Sequence, residues 1–285
     1  MALLNYAEQY SRALANSYAG SLYFGDLWTA PNKDVYKIVN AKTIQIPTLE
    51  VGDLEDGDRD TIGTFKRNFN NDFETKELKG HKVWETLVHP KDIEQTNYVA
   101  TIGNITKTMN ETKKFPYMDS LALTSIYNAT KTVKSAQVET LESDLTIDTV
   151  LTKFDELMDK MDEAEVPMVG RTLYVDTATK TLIDNCKDIY RVSGTKVLGR
   201  AISRIDEVEV KAIPSNRMKV ADGQVKMFLI HKSAIIPAIN YEFAGFDTPK
   251  AVTGGKYVYF EEFFADMFIL NKKVDAIAFV IKGNV

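Results

Sequence analysis

The stretch TIDTVLTKFDELMDKMDEAEVPMVGRTLYVDTATKTLIDNC, residues 146–186, decides how the chain is read. Ile147, Val150, Leu151, Phe154, Leu157, Met158 and Met161 recur at intervals of three and four, which lines one face of an α-helix. Thr146 stands where a capping hydroxyl belongs, and Pro167 forces a stop. Arg171-Thr172-Leu173-Tyr174-Val175 then reads as a short apolar strand. Asp176 or Thr177 can cap a further helix through Leu182, Ile183 and Cys186. Helix, strand and helix in this order predict an α/β lobe.

Downstream, strand-like runs dominate: Val208–Ile213, Val225–His231, Lys256–Phe260, Met267–Leu270 and Ala276–Ile281. Upstream, Asp92 opens a helix with an acidic first turn, and Val99, Ile102, Ile105 and Met109 mark its apolar face. Pro116 interrupts that face, and Met118, Leu121, Ala122 and Ser125 carry it on. The spacing predicts one long, kinked helical element from Asp92 to about Lys131. The fold class expected is α+β, with a helical middle and a sheet-rich end.

Residues 1–50 are of another kind. A helical start around Tyr6–Tyr18 gives way to Gly20, Gly25 and Pro31-Asn32, and Ile44-Gln45-Ile46-Pro47 reads as a short strand stopped by proline. Too few apolar positions recur for this segment to fold alone, so it is expected to be an arm that needs another surface. Residues 51–80 begin with the acidic, glycine-punctuated loop Val51–Asp60 and then scatter Phe65, Phe69, Phe73 and Leu78 among charges. Such a segment predicts a projecting hairpin that finds its order against a partner.

With 44% apolar and 26% charged residues, the 285-residue composition is that of an ordinary globular protein. No apolar run approaches the roughly 20 residues that span a bilayer, and the N-terminus lacks the pattern of a signal peptide. The single cysteine, Cys186, excludes an intrachain disulfide and fits a reducing compartment. A net charge of −5 argues against a dedicated nucleic-acid binder. The sign is uneven: Asp144–Glu165 holds eight acidic residues and two lysines, and Lys187–Lys219 holds eight basic residues and four acidic ones. Either these are two solvated faces, or they are patches that set the register of neighbouring copies.

Catalytic signatures are missing. Gly254-Gly255-Lys256 superficially resembles a phosphate loop, but Lys250 stands where its first glycine belongs and Tyr257 where its hydroxyl belongs. His81, His89 and His231 form no ligand pair, and Asp53–Thr64 lacks the glycine and glutamate of a calcium loop. Cys186, on the apolar side of its helix, is expected to be a buried thiol. No enzyme activity, cofactor or metal is therefore expected.

The order of these landmarks resembles the coat proteins of tailed bacteriophages, the Hong Kong 97 fold. The likeness rests on Lys114-Phe115-Pro116-Tyr117-Met118-Asp119 in the long helix and on Glu163–Pro167 followed by Gly170–Val175. It rests also on Ile205–Val210 followed by Ile213–Met218, on His231-Lys232-Ser233-Ala234, and on the closing strands Tyr257–Leu270 and Ala276–Ile281. The resemblance implies an N-terminal arm at 1–50 and an E-loop hairpin at 51–90. It further implies a peripheral (P) domain with a spine helix at 91–145 and 237–270, and an axial (A) domain at 146–236 and 271–285. The implied function is a non-enzymatic major capsid protein that self-assembles into the icosahedral shell of a tailed double-stranded DNA phage. Its partners would be further copies in hexamers and pentamers, a separate scaffolding protein, a portal protein and packaged DNA touched non-specifically, with no membrane. It would reside in the virion after assembly in the host cytoplasm. Candidate inter-subunit contacts are Tyr18, Leu22 and Trp28 on the arm, Phe65, Lys66, Arg67, Phe69 and Phe73 on the hairpin, and Arg200 and Arg204 in the basic segment. Lys66, Lys76 and Asn128 are available for crosslinking, but no motif singles them out. Alternatives are an encapsulin-like bacterial nanocompartment shell, a tail or connector protein, and an α/β enzyme with an unrecognised site.

Overall fold

The computed structural model describes residues 22–33, 35–40, 42–53, 67–95, 101–186, 204–205 and 207–283. The first helix, α1 (Gly25–Trp28), is one turn long and buries Leu27 and Trp28. Strands β1 (Lys37–Asn40), β2 (Thr43–Val51) and β3 (Phe69–Glu77) form an antiparallel three-stranded sheet. Pro47 does not stop β2, which pairs with β3 from Thr43 opposite Glu77 out to Val51 opposite Phe69. The β1 ladder ends at Gln45, so from Pro47 outward β2 has a neighbour on one side only, where a missing N–H is tolerated. β4 (Gly80–Val88) then enters a different sheet. Gly80 is required there, because a Cβ would run into the Ala265 carbonyl oxygen.

The long helical element is segmented. α2 (Pro90–Gln95) starts two residues before Asp92, with proline at the position whose N–H a helix does not use. α3 (Ile102–Met109) is a fresh start, its Thr101 hydroxyl accepting the Asn104 N–H at 3.3 Å. A π-helical turn, Asn110–Lys114, leads into α4 (Phe115–Val133). Pro116 explains where the turn sits: it cannot donate to the carbonyl four residues back, so the ladder is already broken there.

After β5 (Val138–Leu141) comes α5 (Ile147–Glu163). The Thr146 N–H donates to Thr149 Oγ1 at 3.0 Å, closing its first turn. Val150, Phe154, Leu157, Met158 and Met161 are buried as the spacing predicts, while Ile147 is exposed. β6 (Arg171–Asp176) is buried throughout, and Asp176 caps α6 (Thr177–Asn185) by accepting the Thr179 N–H at 2.8 Å. The remaining strands are β7 (Arg204–Ile205), β8 (Val208–Ile213), β9 (Lys219–Val220), β10 (Gly223–His231), β11 (Ile235–Asp247), β12 (Tyr257–Ile269) and β13 (Ile277–Gly283).

Seven strands form one mixed sheet in the order β5-β13-β10-β6-β8-β7, with β9 at the end of β10. Its two faces belong to two cores. Tyr174, Phe228, Ile230 and Phe279 join Met118, Ala122, Leu123 and Ile126 of α4, while Leu173, Val175, Met227, Leu229 and Val280 meet Phe154, Leu157 and Met161 of α5. The sheet is thus a central layer between helices, its residues alternating from core to core. The third sheet, β11-β12-β4, contains two strands of thirteen residues each, which differs from the two short runs expected at Lys256–Phe260 and Met267–Leu270. Glu261 and Asp266 broke the apolar pattern, yet both are buried and partnered, Glu261 by Lys114 and Asp266 by the Ser125 hydroxyl at 2.8 Å. A hairpin tip, Thr248–Lys256, joins β11 to β12. It is closed by the Gly255 N–H donating to Lys250 O at 2.9 Å, with Gly254 and Gly255 in the left-handed region.

Candidate assembly interface

The arm residues named from sequence are used within the chain. Trp28 is 8% exposed and belongs, with Phe24 and Leu27, to the core beneath α4, and Leu22 packs against that core. The Phe24 ring lies 5.1 Å from Tyr174 and 6.4 Å from Phe228. Polar contacts fasten the same segment. The Phe24 N–H donates to Asp119 Oδ1 at 3.0 Å, and the other Asp119 oxygen takes Arg217 at 2.5 Å. Asp26 Oδ2 accepts the Tyr174 hydroxyl at 2.6 Å and lies 2.8 Å from Lys211 and 2.9 Å from Lys232. The reading of Trp28 as a contact to a neighbouring subunit is therefore corrected, while Leu22 is half-buried against the same core. Both lie in a strap that crosses from α4 to the seven-stranded sheet.

The hairpin residues behave differently. In the β2–β3 ladder Pro47 opposes Phe73 and Val51 opposes Phe69, so Pro47, Leu49, Val51, Phe69 and Phe73 share one face of the ribbon. Leu49 is 61% exposed, Val51 71%, Phe69 52% and Phe73 49%. The opposite face is anchored at its base, where Ile44 and Ile46 pack with Leu78, Ile236, Ala238 and Phe264. Arg67 lies over the Phe69 ring at 4.6 Å and donates to Asn71 Oδ1 at 3.0 Å, adding a cation to the apolar stripe. Lys272 holds the ribbon from outside, donating to Leu49 O at 3.1 Å. Leu49 and Val51 were missed from sequence, although Pro47-Leu49-Val51 alternates with the period of a strand face.

A second apolar face lies on the β11-β12-β4 sheet. The ladders align Phe243 with Glu262 and Val83, and Asp247 with Val258 and Leu87. Val83, Leu87 and Phe243 are exposed there, with Phe260 half-buried 6.1 Å from Phe243. Glu85, Glu262 and Asp247 give this face negative charge, and His81 Nε2 lies 2.8 Å from Glu262.

Tyr18, Phe65, Lys66 and Arg200 lie outside the described residues, and Arg204 forms β7 opposite Glu209. Part of the acidic segment is paired internally: Lys153 reaches Glu139 and Glu156 at 2.6 Å each, and Arg171 reaches Asp162 at 2.6 Å. Cys186 is buried, its thiol 3.6 Å from Ile147 O. Among the described residues no three His, Cys, Asp or Glu side chains gather as a metal-binding group, and no helix is long and apolar enough to cross a membrane. A cavity of about 330 Å³ is lined by Val169, Gly170, Arg171, Thr172, Glu207, Glu209 and Lys232. Its arginine and lysine are tied to Asp162 and Asp26, so no nucleophile, base and electrophile converge in it.

No protein-family model and no curated protein matches the chain. Solved structures do. The capsid of the cyanophage P-SCSP1u matches at 12% identity over 87% of this chain and 86% of that one, with a TM-score of 0.67. The mature capsid of bacteriophage PhiM1 matches at 11% identity over 85% and 82%, with a TM-score of 0.62. A structure from Mycobacterium phage Che8 matches at 12% identity over 85% of each chain, with a TM-score of 0.61. At such identities the likeness is one of fold, and it covers the chain nearly from end to end: this is the Hong Kong 97 fold of tailed-phage capsid structures.

Proposed function

We propose that the chain is the major capsid protein of a tailed double-stranded DNA phage, a non-enzymatic subunit that closes into an icosahedral shell. The observation that carries this reading is the pair of uncovered faces. The ribbon presents Leu49, Val51, Phe69 and Phe73 with Arg67 beside them, and the β11-β12-β4 sheet presents Val83, Leu87 and Phe243 among Glu85, Glu262 and Asp247. Apolar surface meets apolar surface and positive meets negative. Because the two faces differ, copies join head to tail, the arrangement that generates closed rings. On this reading residues 51–90 form the E-loop and its return, and 91–145 with 237–270 form the P domain. Residues 146–236 with 271–285 form the A domain, and the arm is the part of 1–50 that precedes the strap. Scaffolding and portal proteins would be separate partners. Packaged DNA would be touched without sequence preference, and assembly would precede residence in the virion.

The test is a pair of variants, Phe69→Asp/Phe73→Asp on the ribbon and Val83→Asp/Leu87→Asp on the sheet. Each is expected to fold as a soluble species that builds no shells in electron micrographs. Mixed together they should stop at heterodimers, since one intact ribbon then finds one intact sheet face. Normal particles from either variant alone would overturn the proposal.

A further inference from the structure

The outer face of the β11-β12-β4 sheet carries a titratable pair set into its apolar surface. His81 of β4 stands opposite Phe264 of β12, and the two rings stack 4.1 Å apart and 2° from parallel. In that setting His81 Nε2 lies 2.8 Å from Glu262 Oε1. A carboxylate only accepts, so the neutral ring carries its proton on Nε2 and donates it to Glu262. Both side chains keep contact with water, 41% exposed for His81 and 25% for Glu262. In the ladders Glu262 is flanked by the exposed Val83 on one side and the exposed Phe243 on the other.

The other charged groups around the ring have their own places. On β4, Glu85 lies exposed on the same face, while Lys82 turns to the opposite one, 4.9 Å over the Tyr117 ring. On β12, Glu261 faces inward to Lys114, and Asp266 is buried, accepting from the Ser125 hydroxyl and, at 3.1 Å, from the Lys79 N–H. On β11, Glu242 also meets Lys114, at 3.5 Å, and Asp247 pairs with Lys250 at 2.9 Å at the far end. The ribbon base packs on Phe264 through Ile44, Ile46 and Leu78. Its charges there are Lys42, Glu77 opposite Thr43, and Glu74 paired with Lys76 at 2.5 Å. Glu262 is thus the carboxylate that His81 touches.

Docking of a second copy would cover this pair and take it out of water, where a carboxylate is costly unless a cation meets it. With the ring neutral, that cation has to come from the partner, and the ribbon carries one: Arg67, over the Phe69 ring at 4.6 Å. With the ring protonated, His81 supplies the cation itself, and an incoming arginine finds one negative charge fewer. We propose that His81 regulates docking on this face: neutral, it leaves Glu262 to Arg67 of a neighbouring copy, and protonated, it takes that carboxylate and weakens the contact. The inference rests on the shell reading above. Its sign opposes the general one, since acid lowers the repulsion between subunits of net charge −5 and by that route favours assembly.

Light scattering follows assembly of the parent, His81→Gln and Glu262→Gln at about pH 8 and about pH 5.5, either side of the range in which imidazoles titrate. The parent is expected to assemble about two- to fivefold more slowly at the lower pH, the worth of one ion pair. Glutamine keeps an N–H donor and gains no charge, so His81→Gln is expected to assemble as fast in acid as at pH 8, or faster. Glu262→Gln is expected to be slower than the parent at pH 8 and to show no further slowing in acid. A parent that assembles equally well or better in acid overturns the switch. An acid slowing that persists in His81→Gln overturns it too, as does a His81→Gln variant that builds nothing at pH 8, which would make the ring structural. Should the parent build no particles at either pH, the shell reading falls first and this inference with it.

Discussion

Asp26 and Asp119 fasten the same strap and titrate in opposite directions. Burial pushes the Asp119 carboxyl up, and the Phe24 N–H and Arg217 only partly offset this. Burial acts on Asp26 too, but Lys211, the Tyr174 hydroxyl and Lys232 outweigh it and hold that carboxyl below the ordinary 3.8. A depressed carboxylate stabilises the folded state above its unfolded value and loses that contribution as pH falls through the folded one. Asp26→Asn is therefore expected to lower Tm at pH 7, with the gap to the parent closing as pH drops below about 4. Thermal unfolding at pH 7, 5 and 3 measures this, and an unchanging gap would mean that the carboxylate contributes no charge-dependent stability. Sequence revealed that Trp28 and Leu22 need a surface but not whose surface. Apolar spacing carries no information about the partner when a segment is as short as one helical turn, and only the contacts with Tyr174 and Asp119 show that the surface is the chain's own.

Elements were legible where their periodicity was clean. The α5 stripe and strand β6 stand where residues 146–186 place them, while the helix stops at Glu163, ahead of Pro167, with Glu165 in the left-handed region. Phe154 sits at the centre of that stripe, 1% exposed, and Phe154→Ala is expected to destabilise the protein by about 3–5 kcal/mol through loss of burial and the cavity left behind. Denaturant unfolding of the soluble variant checks it, and an unchanged midpoint would contradict the packing against Leu173 and Val280. Elements were illegible where buried polar groups break the pattern. Strand β12 continues through Glu261-Glu262 because Lys114 meets Glu261 from another element, a partner 147 residues away that no local window contains. Strand β11, Ile235–Asp247, was not among the strand-like runs read from the sequence. The start of α3 at Thr101 was missed because apolar spacing runs on across a cap.

At the scale of the molecule, the α+β class and the order of parts followed from the sequence, and the pairing of distant strands did not. Register between β12 and β4, or β6 and β8, is set by contacts more than thirty residues apart in the chain. The ribbon's first strand lies at Thr43–Val51, ahead of the segment 51–80 read as a hairpin, and its apolar stripe became visible only once β2 and β3 were in register. Charge belongs to this scale too. With Arg67 beside one face and carboxylates on the other, the attraction proposed between copies would be screened over about 8–10 Å near physiological ionic strength. Moderate salt is therefore expected to slow assembly followed by light scattering, and Arg200→Glu/Arg204→Glu to slow it further. Faster assembly in salt would instead make repulsion between subunits of net charge −5 the controlling force, with apolar contact driving closure.

The β11–β12 tip has a use of its own. Its turn is held by internal hydrogen bonds to Lys250 and Thr253, Val252 is 96% exposed, and among the described residues no atom lies within 4 Å of where a Cβ would stand on Gly254 or Gly255. A foreign peptide spliced between Ala251 and Val252 would lengthen a turn whose closing contacts lie at its base, leaving both thirteen-residue strands their register. If copies assemble as proposed, the tip becomes a regularly spaced platform for displaying an epitope or an enzyme tag.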